Sequence, residues 1–203
     1  MDPVEVETRG ASERVEDFVE DLGSTLYAHL PQEYQERMEE NVDRVILGST
    51  PPYFGNDVGV YYTKDDRQDI YLSRKVTNVQ DPHEIAEVYF HEFGHPLIDD
   101  RFDGVNHQTA ADFLTFYALE EPEMFARSES DYERHEDQVR MELGPGEEFR
   151  RDIESMIEER RDAWFDEIER KYRELLEDNN VREDWVKASV PGEVWGRLQD
   201  EFE

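Results

Sequence analysis

The sequence has no cysteine among its 203 residues. Disulfide bonds and thiolate metal ligands are therefore excluded, and a bound metal ion would need histidine, aspartate or glutamate side chains. No apolar run reaches the roughly 18 residues that a membrane-spanning helix requires. The first residues, M-D-P-V-E-V-E-T, lack the basic region and the apolar stretch of a signal peptide. These absences predict a cytoplasmic protein with no membrane partner.

Positive charge is also scarce. The chain has 22 lysines and arginines against 53 aspartates and glutamates, which gives a formal net charge of -31. This charge argues against nucleic-acid partners, because the long-range field repels polyanions. The acidic, lysine-poor composition resembles that of proteins from extreme halophiles, such as haloarchaea and their viruses, with an ordinary acidic protein as the alternative. We therefore expect a protein that is cytoplasmic in a halophilic host or associated with a virion.

Aromatic residues indicate that the chain folds despite this charge. There are 11 phenylalanines, 10 tyrosines and 3 tryptophans, spread along the sequence in periodic segments. A disordered chain of comparable charge would contain few of them.

The spacing of apolar residues predicts mostly helices. The D-P-H-E that begins at Asp81 has an N-cap aspartate, a first-turn proline and a glutamate at the third position, which together are typical of a helix start. Helical patterns cover residues 11–30, 32–46, 108–120, a segment from near Pro122, and 147–178. The convincing strand signal is V-G-V-Y-Y-T-K-D-D-R-Q-D-I-Y-L-S, residues 58–73. Two β-rich runs flank a polar, turn-forming centre there, which predicts an antiparallel hairpin.

The segment 147–178 is predicted to be one long amphipathic helix. Its apolar stripe is interrupted by Arg160 and consists of Phe149, Ile153, Ile157, Trp164, Ile168 and Leu175. The stripe fits two arrangements, packing on its own domain or a coiled-coil-like contact with another chain.

The motif H-E-F-G-H, residues 91–95, contains candidate metal-binding and catalytic residues. On a helix, His91 and His95 lie on one face a turn apart and can bind one zinc ion. Glu92 then lies close enough to take a proton from a metal-bound water, which is the arrangement of zinc peptidases. The alternative is a helix with two unrelated histidines. Pro96 follows the second histidine and lacks a backbone N–H, which predicts that the helix bends or ends there.

A catalytic zinc ion normally has three protein ligands. Ile98 and Arg101 stand where a metzincin would have its glycine and its third histidine, so that class is excluded. The remaining candidates are a downstream acid or His107. The strongest acid is Glu123 in P-E-M-F-A-R, where Pro122 suits a first helical turn.

H-E-F-G-H followed by P-E-M-F-A-R and Tyr132 resembles the glutamate-zincin metallopeptidase domains of phages and mobile elements. The hairpin ending in D-I-Y-L-S matches the strand pair that precedes the active helix in those domains. The resemblance implies that His91, His95 and Glu123 bind Zn²⁺ and that Glu92 is the general base. It implies a zinc metallopeptidase of the gluzincin type, or a degenerate member of that class, acting on a protein or peptide.

The expected fold is α+β: a mostly helical, zincin-like domain with a small antiparallel sheet and a long C-terminal amphipathic helix. We expect an N-terminal helical segment over residues 1–52, the catalytic core over 53–143 and a C-terminal helical extension over 144–203. The alternative function is a virion or assembly component that retains the zincin fold, with a structural or single-use metal site. It would contact other proteins through the C-terminal helix.

Overall fold

The computed structural model describes residues 4–51, 54, 57–65, 67–177 and 182–199. Most of these residues are helical, and four short strands form one sheet, so the fold is α+β. The strands are β1 (Glu5–Thr8), β2 (Arg44–Leu47), β3 (Gly59–Lys64) and β4 (Arg67–Leu72). The helices are α1 (Glu13–His29), α2 (Gln32–Asn41), α3 (Arg74–Val79), α4 (Pro82–Ile98), α5 (His107–Ala118), α6 (Glu129–Leu143), α7 (Glu147–Glu177), α8 (Glu183–Lys187) and α9 (Gly192–Leu198).

The sheet is mixed, which corrects the expectation of an antiparallel one. Its order is β1-β2-β4-β3, with β1 parallel to β2, β2 parallel to β4, and β3 antiparallel to β4. Strand β2 lies partly within the segment 32–46 that was predicted to be helical, but the helix ends at Asn41. The three buried residues V-I-L in β2 form the continuous apolar run typical of a parallel strand covered on both faces. Helices α1 and α2 supply the crossover that a parallel β1–β2 pair requires.

The predicted hairpin is confirmed as β3 and β4, and its register determines which backbone groups face outward. The Ser73 N–H donates to the Val58 carbonyl at 2.9 Å. In an antiparallel ladder, hydrogen-bonded pairs alternate with non-bonded ones, so the pairs Val60–Tyr71 and Tyr62–Asp69 are also hydrogen-bonded. The N–H and C=O groups of Gly59, Tyr61 and Thr63 therefore point to the outer edge of β3, away from β4.

Helix α4, which carries H-E-F-G-H, runs through the middle of the molecule. Fourteen of its 17 residues are buried. The Asp81 carboxylate caps its start by accepting from the His83 N–H at 2.9 Å. The helix continues past Pro96 to Ile98 and is followed by a 3₁₀ turn. Pro96 has no backbone N–H, and the hydrogen bond that is lost falls in the last turn of the helix. The helix ends two residues after the proline.

Helix α7 turns its apolar stripe toward the core of this same chain. Trp164 packs edge-to-face on Phe18 of α1, with ring centroids 5.6 Å apart. Arg160, the interruption in the stripe, lies over the Phe18 ring and pairs with Asp21. The buried core includes residues from each of the predicted segments 1–52, 53–143 and 144–203. Among the described helices, none is both long and apolar enough to cross a bilayer.

Candidate metal centre

The packing of α4 on α5 brings the site together. A Cβ atom placed on Gly94 would lie 2.2 Å from the Ala111 carbonyl oxygen and 2.6 Å from the Ala111 Cα atom. Because glycine has no side chain, the two helix backbones touch at this point. The next residue of α5, Asp112, is thereby brought within reach of His91.

His91 is held by Asp112 and Phe125, and Asp112 is held in turn by Ser128. Its Nδ1 hydrogen-bonds to Asp112 Oδ1 at 2.6 Å, and the second oxygen of Asp112 accepts from the Ser128 hydroxyl. The Phe125 ring stacks on the imidazole with centroids 4.6 Å apart and planes within 4°. Since Nδ1 is engaged by the carboxylate, Nε2 is the nitrogen that His91 can offer to a metal ion.

The two histidines of the motif differ electrostatically. Burial lowers the pKa of His91, but the Asp112 hydrogen bond and the Glu92 charge outweigh it, so the net direction is upward. Burial, with smaller contributions from His91 and His107, lowers the pKa of His95 to about 4. His95 is therefore a neutral imidazole at physiological pH, the form in which histidine binds metals. The two rings lie 5.0 Å apart between centroids.

Glu92 lies against the edge strand β3. Its side chain is buried, and burial raises its pKa to about 7, while the His91 charge and the Tyr61 backbone N–H oppose that shift. The Tyr61 N–H is one of the groups on the outer edge of β3, so the carboxyl group faces that edge of the sheet. A Cβ atom on Gly59 would lie 2.6 Å from Glu92 Oε1, which shows that glycine makes room for the carboxyl group.

His91, Glu92 and His95 share one cavity of about 350 Å³. The Tyr61 ring forms part of its wall and stacks on His95, with centroids 6.2 Å apart, while its hydroxyl donates to the Gln68 side chain. The other residues around the cavity are Phe54, Asp57, Val58, Gly59, Val60, Val88, Gln108 and Phe125.

Glu123 is exposed and does not line this cavity. The helix predicted to begin near Pro122 begins at Glu129, and Glu123 lies in an irregular segment before it. Its backbone N–H donates to the buried carboxylate of Glu87. Glu123 is therefore anchored beside the turn of α4 that precedes His91, whereas His95 lies one turn beyond His91.

His107 approaches the site from the other side. It is the first residue of α5, and its ring centroid lies 5.7 Å from that of His95. Its Nδ1 receives a hydrogen bond from the Gln108 amide at 3.4 Å. The Gln108 side chain also lines the cavity that holds His91.

No known protein family, curated protein or solved structure matches this chain. Function is therefore inferred from the site itself. Within the described ranges, no three histidine, aspartate or glutamate side chains already converge as a complete set of ligands. The donors nevertheless suit a divalent metal ion, because two imidazoles a turn apart face one cavity and a buried carboxylate orients one of them.

Asp112 and Ser128 are the site residues that the sequence analysis missed. Both come from elements outside H-E-F-G-H. A usable signal for Asp112 was present, because it is the single acid in the apolar run A-A-D-F-L. A buried carboxylate without a partner is costly, so an acid in such a run indicates a specific donor nearby.

Proposed function

We propose that this chain is a zinc-dependent metallopeptidase in which His91 and His95 bind the metal ion and Glu92 is the general base. The observation that supports it most is the position of Glu92. This buried carboxyl group shares one cavity with both histidines and lies against Gly59 of the edge strand β3. In such a site, bound zinc would polarise a peptide carbonyl and acidify a water molecule.

Asp112 sets the tautomer of His91. Its carboxylate accepts the Nδ1 proton, which leaves the Nε2 lone pair for the metal ion. The Ser128 hydroxyl donates to the other oxygen of Asp112, so both carboxylate oxygens have a partner in this buried position.

Glu92 moves the proton. A pKa of about 7 suits a group that takes a proton from water and passes it to the departing amine near neutral pH. The close contact with Gly59 places the Glu92 carboxyl group beside the edge of the sheet, where an extended peptide would bind.

The outer edge of β3 offers a place for an extended peptide. The outward groups of Gly59 and Thr63 can pair with a substrate backbone as an added strand, and Val58, Gly59 and Val60 already line the cavity. Glu123 as a third ligand, which the resemblance implies, stays a prediction.

The test is Glu92→Gln, assayed for cleavage of fluorescently labelled casein in concentrated KCl. We expect turnover to fall by about 10²–10⁴-fold, the usual contribution of a general base, while zinc content stays at the wild-type level. Glu84→Gln, on the same helix but outside the cavity, is the matched control and keeps activity. Undiminished cleavage by a zinc-loaded Glu92→Gln protein would refute the role of Glu92.

A further inference from the structure

We infer that His107, and not Glu123, is the third protein ligand of the metal ion. This inference rests on the proposed function, in which His91 and His95 are the other two ligands.

Two ring spacings, His91 to His95 and His95 to His107, agree with shared coordination. With a Zn–N distance of about 2.05 Å, the centroid of a bound imidazole lies roughly 3.2 Å from the metal ion. Two such centroids are then about 5.2 Å apart at the tetrahedral angle and about 5.8 Å apart at 130°. The observed distances are 5.0 Å for His91 and His95 and 5.7 Å for His95 and His107.

Gln108 lies next to His107 at the start of α5 and lines the same cavity as His91. Its side-chain amide donates to His107 Nδ1 at 3.4 Å. Asp112 lies one turn further along α5 and hydrogen-bonds to His91. A metal ion that displaces the Gln108 amide from the cavity would therefore lie beside both His91 and His107.

His107 can complete the site with a small movement. The side chain is exposed at the first position of α5, so its ring can turn without loss of core packing. The position of α5 itself is fixed by the backbone contact between Gly94 and Ala111.

Glu123 is less well placed. Its backbone is anchored by Glu87, one turn before His91, and the stacked Phe125 ring forms the cavity wall on that side. Burial and, to a smaller extent, the Glu123 charge raise the pKa values of Glu84 and Glu87, so the Glu123 carboxylate lies beside the turns of α4 that precede His91, and not beside His95.

The experiment compares zinc affinity in wild type, His107→Ala and Glu123→Ala by competition with a chromophoric chelator. His135→Ala serves as the control because the His135 ring packs on Phe102 and Phe113 and not on His91 or His95. We expect His107→Ala to weaken zinc binding by at least about 100-fold and to lose the zinc-dependent rise in Tm. The other two variants should stay within about threefold of wild type, and His107→Asp, which restores a ligand atom, should recover part of the affinity.

The outcomes separate this inference from the function that it rests on. A wild-type protein that binds no zinc refutes the proposed function. If wild type binds zinc and His107→Ala binds it with the same affinity, only the assignment of His107 is refuted. The same holds if Glu123→Ala loses as much zinc affinity as His107→Ala does.

Discussion

Glu87 is a buried carboxylate with a structural task close to the site. Its side chain is only 1% exposed, and it accepts hydrogen bonds from the backbone N–H groups of Glu123 and Met124. The next residue, Phe125, stacks on His91. Glu87 therefore connects α4 to the segment that covers the candidate metal ligand.

Glu87→Gln should change how stability depends on pH. Burial raises the pKa of Glu87 from 4.5 to about 7, so the folded state binds this proton more tightly than the unfolded state does. The stabilisation is fully present below pH 4.5 and is lost as the pH rises through about 7. Glutamine keeps an acceptor oxygen without ionising. We expect the unfolding free energy of the variant to lie within about 1 kcal/mol of wild type at pH 5 and to be higher by on the order of 1–3 kcal/mol at pH 8.5, measured by urea unfolding. The same difference at both pH values would contradict this.

At the scale of elements, the contact of α4 with α5 determines the geometry of the site. Gly94→Ala should force the two helices apart, because the added Cβ atom would overlap the Ala111 backbone. We expect a loss of about 1–3 kcal/mol in urea unfolding and a roughly tenfold weaker zinc affinity as Asp112 leaves His91.

Gly196→Ala is the matched control for this substitution. Gly196 lies in α9, and a Cβ atom there would meet nothing within 4 Å. Helix propensity alone then predicts a gain of about 0.5–1 kcal/mol. Stabilisation by both substitutions would show that the helices do not depend on the absence of a side chain at Gly94.

Local sequence patterns correctly predicted the helices and strands that are determined by residues close together in the sequence. The hairpin and α4 were predicted because alternation, a turn-forming centre and a capping aspartate act over a few positions. Strands β1 and β2 were missed because each has four residues and is stabilised by parallel pairing across a long crossover. The same distinction applies to the site. His91, Glu92 and His95 follow from spacing within one helix, whereas Asp112 reaches His91 only through the way two helices pack.

At the scale of the whole molecule, the few positive charges join elements of the fold. Arg44 of β2 pairs with Glu7 of β1 at 2.6 Å and with Asp69 of β4 at 2.8 Å, and so links three strands. Arg14 of α1 pairs with Glu167 of α7 at 2.8 Å. With 53 acids against 22 bases, most carboxylates repel one another instead.

Salt should therefore stabilise the protein strongly. The screening length falls from about 10 Å at 0.1 M salt to about 3 Å at 1 M, which removes repulsion between all but adjacent charges. We expect Tm to rise by at least about 5 °C between 0.1 M and 2 M KCl at pH 8. The rise should shrink near pH 5, where part of the negative charge is titrated. A flat or falling Tm at pH 8 would contradict the halophilic interpretation.

The packing of α7 also bears on assembly. Its apolar stripe, which fitted either a contact with another chain or its own domain, is largely buried against α1 and the core. An assembly role for the chain stays a prediction, and it would need a surface other than this stripe.

The position of Glu92 against the β3 edge has a consequence for the solubility of the folded protein. An uncovered edge strand invites pairing with the strands of other molecules, which leads to aggregation. Glu92 places a polar carboxyl group beside the outward backbone groups of β3, and a hydrophobic replacement would leave those groups beside an apolar surface. We therefore expect the proposed catalytic base also to reduce self-association through this edge.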